Sequence, residues 1–233
     1  MRKRHIPTGW PRHDPRHYRF PIPNSVWEYQ LKPIEFVLLS YLCYHHTCGK
    51  AVLTPAMIAK GIHKSVGTVK KYLPALIDAQ LITAQGSLNA VFLSANDQNF
   101  FTLPNEIFLL KLPPSAFMVY AYLLLIEDRR THTCHPSYST IADKASMTKN
   151  TVIKSVGVLL DKHLIAMERT SYFDGHGLKW NGNNLYTILP TQCAMDTFHQ
   201  QQLDQLELET ERRRVRKRQE RFAHNRPYAA SKS

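Results

Sequence analysis

Two short segments carry residue types that bind metals or act as nucleophiles: "CYHHTC", with Cys43, His45, His46 and Cys48, and "HTCH", with His132, Cys134 and His135. A structural zinc site needs four convergent ligands, and neither segment offers the CxxC pair from which such sites are usually built. Both segments fall where a loop is expected after a long apolar helix. Cys43 lies within that helix and Cys134 just ahead of the next, so both read as small packing residues. Nothing nearby in sequence lowers a particular thiol's pKa, and four cysteines in 233 residues read as free thiols of a reducing compartment. Nucleotide hydrolysis has no support, because the only Gly-Lys pair, Gly49-Lys50 in "CGKAV", lacks the surrounding phosphate-binding loop. No pair of histidines flanking one apolar residue accompanies a tyrosine nucleophile. We therefore expect no catalysis, no metal and no cofactor.

A second kind of chemistry is written twice. "KSVGTVKK" places Lys64, Ser65, Thr68, Lys70 and Lys71 at the start of one expected helix, and "TKNTVIK" places Thr148, Lys149, Asn150, Thr151 and Lys154 at the start of another. Ser65 and Thr148 are suited to cap those helices. An asparagine amide can pair with adenine in two places at once, and lysines reach guanine acceptors or phosphates. Asn150 is the first choice for a base contact. A solvated helix face is the alternative for each of these residues. The net charge of +12 favours an anionic partner, with Lys and Arg exceeding Asp and Glu by five over residues 1–19 and by three over 191–233.

The elements that position these residues repeat as well. Residues 20–42 align with 101–123, 81 positions later, with eight identities that include Phe20/Phe101, Pro23/Pro104, Asn24/Asn105, Pro33/Pro114 and Phe36/Phe117. Residues 54–82 align with 137–165, 83 positions later, with nine identities that include Ile58/Ile141, Ala59/Ala142, Thr68/Thr151 and Asp78/Asp161. Each copy predicts a buried first helix opened by proline, then a short helix capped by Thr54 or Ser137. A third helix follows, with a core stripe of Val69, Leu73, Leu76 and Ile77 in one copy and Val152, Val156, Leu159 and Leu160 in the other. Pro74 inside the first copy's third helix, opposite Gly157, is expected to kink it. β-like runs after Leu81-Ile82 and Leu164-Ile165 complete three helices and a hairpin.

The pattern "IA…(S/T)xxTVxxxxxxLxDxxLI" resembles the winged helix-turn-helix. The second copy, "CHPSYSTIADKASMTKNTVIKSVGVLLDKHLI", is similar to the modules of replication initiators and regulators of bacterial plasmids, phages and conjugative elements. The resemblance covers roughly residues 20–190. It implies a mainly α fold with small β wings: two tandem winged-helix domains, 20–95 and 96–190, flanked by a basic flexible arm at 1–19 and a charged helical tail at 191–233. It further implies double-stranded DNA as partner, read by the third helices and by the second wing, where Arg169 and Lys179 are candidates for phosphate or minor-groove contact.

Two copies on one chain allow pseudo-twofold placement, with both third helices in successive major-groove faces about 34 Å apart. The alternative is one reading copy and one scaffold copy, the first copy being the scaffold. Initiation of replication, transcriptional regulation and a protein-docking adaptor role remain open, with replication or transcription proteins as further partners. Leu203, Leu206 and Leu208 do not sustain a heptad, which points to a monomer or a weak homodimer. No apolar run approaches the ~20 residues of a membrane span, and the basic N-terminal stretch lacks the apolar segment of a secretion signal, so a cytoplasmic location is expected.

Overall fold

The structure is a computed structural model that describes residues 19–48, 53–83, 89–90, 99–173, 175–176 and 178–224. Residues 1–18 of the arm expected over 1–19, the first wing's tip and the basic residues after 224 lie outside the described residues. Strand β1 (Arg19–Pro23) leads through a 3-10 turn at Asn24–Glu28 to α1 (Pro33–Thr47), α2 (Pro55–Gly61), α3 (Val66–Asp78), β2 (Ile82–Thr83) and β3 (Asn89–Ala90). The order then recurs. Strand β4 (Phe100–Pro104) and a 3-10 turn at Asn105–Phe108 precede α4 (Pro114–Ile126), β5 (Thr133–Cys134), α5 (Tyr138–Lys144), α6 (Lys149–Asp161), β6 (Ile165–Phe173) and β7 (Lys179–Ile188). A long helix, α7 (Thr191–His224), follows. The fold is mainly α with small antiparallel sheets.

Local chemistry sets these boundaries. Pro33, Pro55 and Pro114 sit in first helical turns, where the missing N–H costs nothing. Thr54, Ser65, Ser137 and Thr148 each accept a hydrogen bond from the backbone N–H three residues on, at 3.0–3.3 Å. Helix exits are fixed by left-handed residues at matching places: Gln80 (φ 56°) after α3 and His163 (φ 55°) after α6. There Leu81 N donates to Leu76 O and Leu164 N to Leu159 O, both at 3.0 Å, which closes each helix as a Schellman motif. Left-handed pairs also recur at Gln30/Lys111 and His63/Ser146, so the two halves match in backbone as well as in side chains.

The core is one cluster that runs through both halves. At its centre β1 pairs antiparallel with β4, with Phe20 opposite Leu103, Pro21 opposite Thr102 and Ile22 opposite Phe101. Pro21 and Thr102 are repeat equivalents, 81 residues apart, so the pairing is symmetric about them. The rings obey the same symmetry. Trp27 lies 5.3 Å from Tyr122 while its counterpart Phe108 lies 5.0 Å from Tyr41, and the equivalents Phe36 and Phe117 meet edge-on at 6.1 Å. Such mutual contact of equivalent patches is the isologous arrangement of a twofold dimer, here within one chain.

Several expectations need correction. Ahead of the first helix of each copy, where no strand was expected, Phe20 and Phe101 lie in the paired strands β1 and β4, whose alternate residues face the core. Arg19 belongs to β1 and not to a flexible arm: its guanidinium donates to Thr102 Oγ1 at 2.8 Å and to Thr102 O at 2.7 Å. Helix α1 continues to Thr47, so His45 and His46 are helical residues and not loop residues, and Cys43 lies in the helix as expected. Ile77 is 37% exposed, leaving Val69 and Leu76 buried and Leu73 half-buried on the α3 stripe. Pro74, where a kink was expected, lies inside α3, whose bounds run on to Asp78. The tail helix begins at Thr191, where Ala194, Met195 and Phe198 dock it on the core.

Candidate nucleic-acid interface

The two helices that follow the short α2 and α5 each present one polar flank. On α6, Val152, Val156, Leu159 and Ser155 are buried, which turns Lys149, Asn150, Ile153 and Lys154 outward. On α3, burial of Val69 and Leu76 leaves Val66, Gly67, Lys70 and Lys71 exposed, with Lys64 and the cap Ser65 exposed just before it. The 3.6-residue period therefore gathers the polar residues into one patch per helix.

The threonines at these helix starts are committed locally. Thr68 Oγ1 lies 2.8 Å from Ser65 Oγ, and Thr151 Oγ1 lies 2.8 Å from Thr148 Oγ. Both hydroxyl pairs lock the first turn and leave Thr68 and Thr151 half-buried, so their main role is to hold neighbouring side chains in place. Asn150 lies in the first turn of α6 with its side chain exposed. Lys71 is partly engaged, its ammonium 5.3 Å from the Tyr72 ring centroid, a cation–π contact that anchors the stem.

Each short helix is held close to the third helix of its half by a tight turn through His63 or Ser146 in the left-handed region. Lys64 N donates to Ala59 O at 2.9 Å and Met147 N to Ala142 O at 3.0 Å across these turns. Lys60 on α2 and Lys144 on α5 stand exposed on the preceding helices. Sequence reasoning did not select them; a lysine in the last turn of the helix before a capped one was the available signal. Arg129 and Arg130 form an exposed pair in the α4–β5 turn that went unselected too.

The second wing is longer and more regular than a loose hairpin. β6 and β7 pair from Ile165/Ile188 to Phe173/Lys179, with a register shift between Arg169 and Ser171, and β5 adds to the outer side of β7. Arg169 is exposed on β6 opposite Asn184. Lys179 opens β7, where only its backbone is described. Gly182 lies against Thr170, whose hydroxyl donates to the Asn183 carbonyl, and a Cβ at Gly182 would collide with that side chain. The site residues thus fall in three places, α3, α6 and the β6–β7 wing.

Cys43 and Cys134 are buried and their thiols are pushed up to about 12, by loss of solvent first. Among the described residues, no three of His, Cys, Asp and Glu gather in a metal-binding group. No described helix is long and apolar enough to cross a membrane.

Among solved structures, the chain is similar to a "possible transcriptional regulator from Methanosarcina mazei Go1", with 19% identity, 44% of this chain and 80% of that chain covered, and a TM-score of 0.31. No curated protein matches. Residues 110–165, spanning α4, β5, α5, α6 and the first residue of β6, match a family described as a helix-turn-helix domain. Over that span the chain is similar to a helix-turn-helix domain, a kind of module that binds DNA, and α5 and α6 are the two consecutive capped helices within it.

Proposed function

We propose that the chain is a sequence-specific double-stranded DNA-binding protein built of two winged helices, acting without catalysis or cofactor. The observation that carries the reading is the exposed row Lys149, Asn150, Ile153 and Lys154 on α6, on the helix that a helix-turn-helix sends into the major groove. Asn150 reads adenine, Lys149 and Lys154 reach guanine or phosphate, and Ile153 meets a thymine methyl. Arg169 and Lys179 follow the backbone or minor groove. The first half repeats the arrangement with Lys64, Lys70, Lys71 and Val66, and its different residues select a different half-site.

The biological setting is initiation of replication on a bacterial mobile element or regulation of its genes. Two modules joined on one chain, with equivalent residues meeting at the seam, favour an initiator that binds asymmetric paired sites as a monomer; a regulator that reads one half-site is the second reading. Selection of bound fragments from random duplex DNA by the full-length protein at near-physiological salt tests both. A bipartite motif with unlike halves about one helical turn apart is expected. A single half-site would reduce the first half to a scaffold. Binding without enrichment that vanishes as salt rises would overturn sequence reading altogether.

A further inference from the structure

The seam between the halves holds a cleft of about 370 Å³ lined by Tyr41, Tyr44 and His45 of α1, Gly61 of α2, and Glu106 and Phe108 of the second half's 3-10 turn. Its volume lies near the lower end of the roughly 300–1,000 Å³ of small-molecule sites. The rings stand steeply to one another: Tyr41 and Phe108 at 89° with centroids 5.0 Å apart, Tyr44 and Phe108 at 45° and 5.6 Å, Tyr41 and Tyr44 at 46° and 6.1 Å. Three aromatic rings thus face different directions around one opening. Among the described lining residues Glu106 is the only carboxylate, and none is a lysine or arginine.

The duplication provides an internal control. The positions equivalent to Tyr44, His45, Gly61 and Glu106 are Leu125, Ile126, Lys144 and Ser25. The counterpart side of the seam therefore has aliphatic residues in place of the second phenol and the imidazole, a cation in place of the glycine, and its carboxylate at a different place, Glu28, the equivalent of the lining residue Leu109. The fold tolerates both sets, so packing does not require the aromatic and acidic set. Gly61 has its own geometric reason, because a Cβ there would collide with the Tyr41 phenol.

We propose that this cleft binds a small organic ammonium ion, held by the Glu106 carboxylate and by cation–π contact with Tyr41 and Tyr44, while Phe108, stacked on Phe20 and Phe117, forms the apolar wall. Because the lining joins α1 and α2 of one half to the other half's 3-10 turn, the ligand bridges the two halves at the helix that precedes α3. The site is independent of the DNA reading.

The test is calorimetric titration of the full-length protein with tyramine and with choline, using 4-hydroxyphenylacetate as the anionic control. Saturable binding of at least one of the two cations is expected, with none of the anion. Glu106→Gln, on a half-buried side chain, is expected to weaken that binding about tenfold, and Tyr44→Leu, which copies the counterpart Leu125, to weaken it as well. Circular dichroism of both variants separates loss of binding from loss of fold. Absence of binding for both cations overturns the proposal, as does equal binding of the anion or affinity that ignores Glu106→Gln in a folded protein.

Discussion

Asn150 and the four cysteines show how the same side chain changes meaning with its surroundings. Asn150 is exposed in the first turn of α6, where its amide is free of the cap formed by Thr148 and Thr151. Asn150→Ala is expected to cost about 1–3 kcal/mol at the specific site and to relax preference at one base pair, read by competition binding against single-base variants. Unchanged preference would remove α6 as the reader. Among the cysteines, Cys43 and Cys134 are buried with thiols raised to about 12, whereas Cys48 and Cys193 are exposed. Reaction with a thiol reagent near neutral pH should label two thiols quickly and the other two only on denaturation. Four fast thiols would contradict the packing of α1 and β5.

At the scale of elements, α3 and α6 differ in one place that matters to stability. Gly157 of α6 is half-buried, and a Cβ there would meet nothing within 4 Å. Gly157→Ala is expected to raise stability by about 0.5–1 kcal/mol in chemical denaturation, through helix propensity alone. The same logic holds at the exit of the helix, where His163 occupies the left-handed position of a Schellman motif. His163→Gly removes that strain, and a loss of stability there would show that the imidazole makes a contact worth more than the backbone relief. In α3 the equivalent of Gly157 is Pro74, exposed and within a continuous helix. Its ring lacks a donor for the Lys70 carbonyl, yet burial of Val69 and Leu76 on either side keeps the helix seated.

For the whole molecule the seam is decisive. Because Phe36, Phe117 and Phe108 belong to one core cluster, with Trp27 packed against it, the halves cannot lose packing independently. A single calorimetric transition is expected, and Phe117→Ala should lower stability by about 3–5 kcal/mol without splitting it. Two resolved transitions would show that the halves fold apart. Helix α7 behaves oppositely. Its 34 residues span about 51 Å, and residues 199–220 are exposed apart from the docked first turns. Pairs such as Arg216–Glu220 at 2.9 Å support it, and the order of acid before base suits its dipole. Removing residues 212–233 should therefore leave the midpoint of unfolding nearly unchanged, while weakening DNA binding to all sequences and flattening its salt dependence. An unchanged salt slope would exclude the basic end of α7 from phosphate contact.

What the sequence determined by itself was local and periodic. The caps at Thr54, Ser65, Ser137 and Thr148, the prolines at helix starts and the outward faces of α3 and α6 are written within a few residues of one another, and each is found as the pattern requires. The repeat was legible too, through identities at apolar and turn positions. What only the tertiary structure decided depends on contacts about 80 residues apart. No local pattern says that Phe20 faces Leu103, that Arg19 is tied to Thr102, or that Tyr41, Tyr44 and Glu106 line one cleft. The docking of α7 was hidden for the same reason: "TQCAMDTFHQ" has weak periodicity, and its first turns are held by Ala194 and Met195 against a core that the sequence does not display. A helix's face can be read from spacing alone, but its partner is chosen by packing between segments that meet only when the chain has folded.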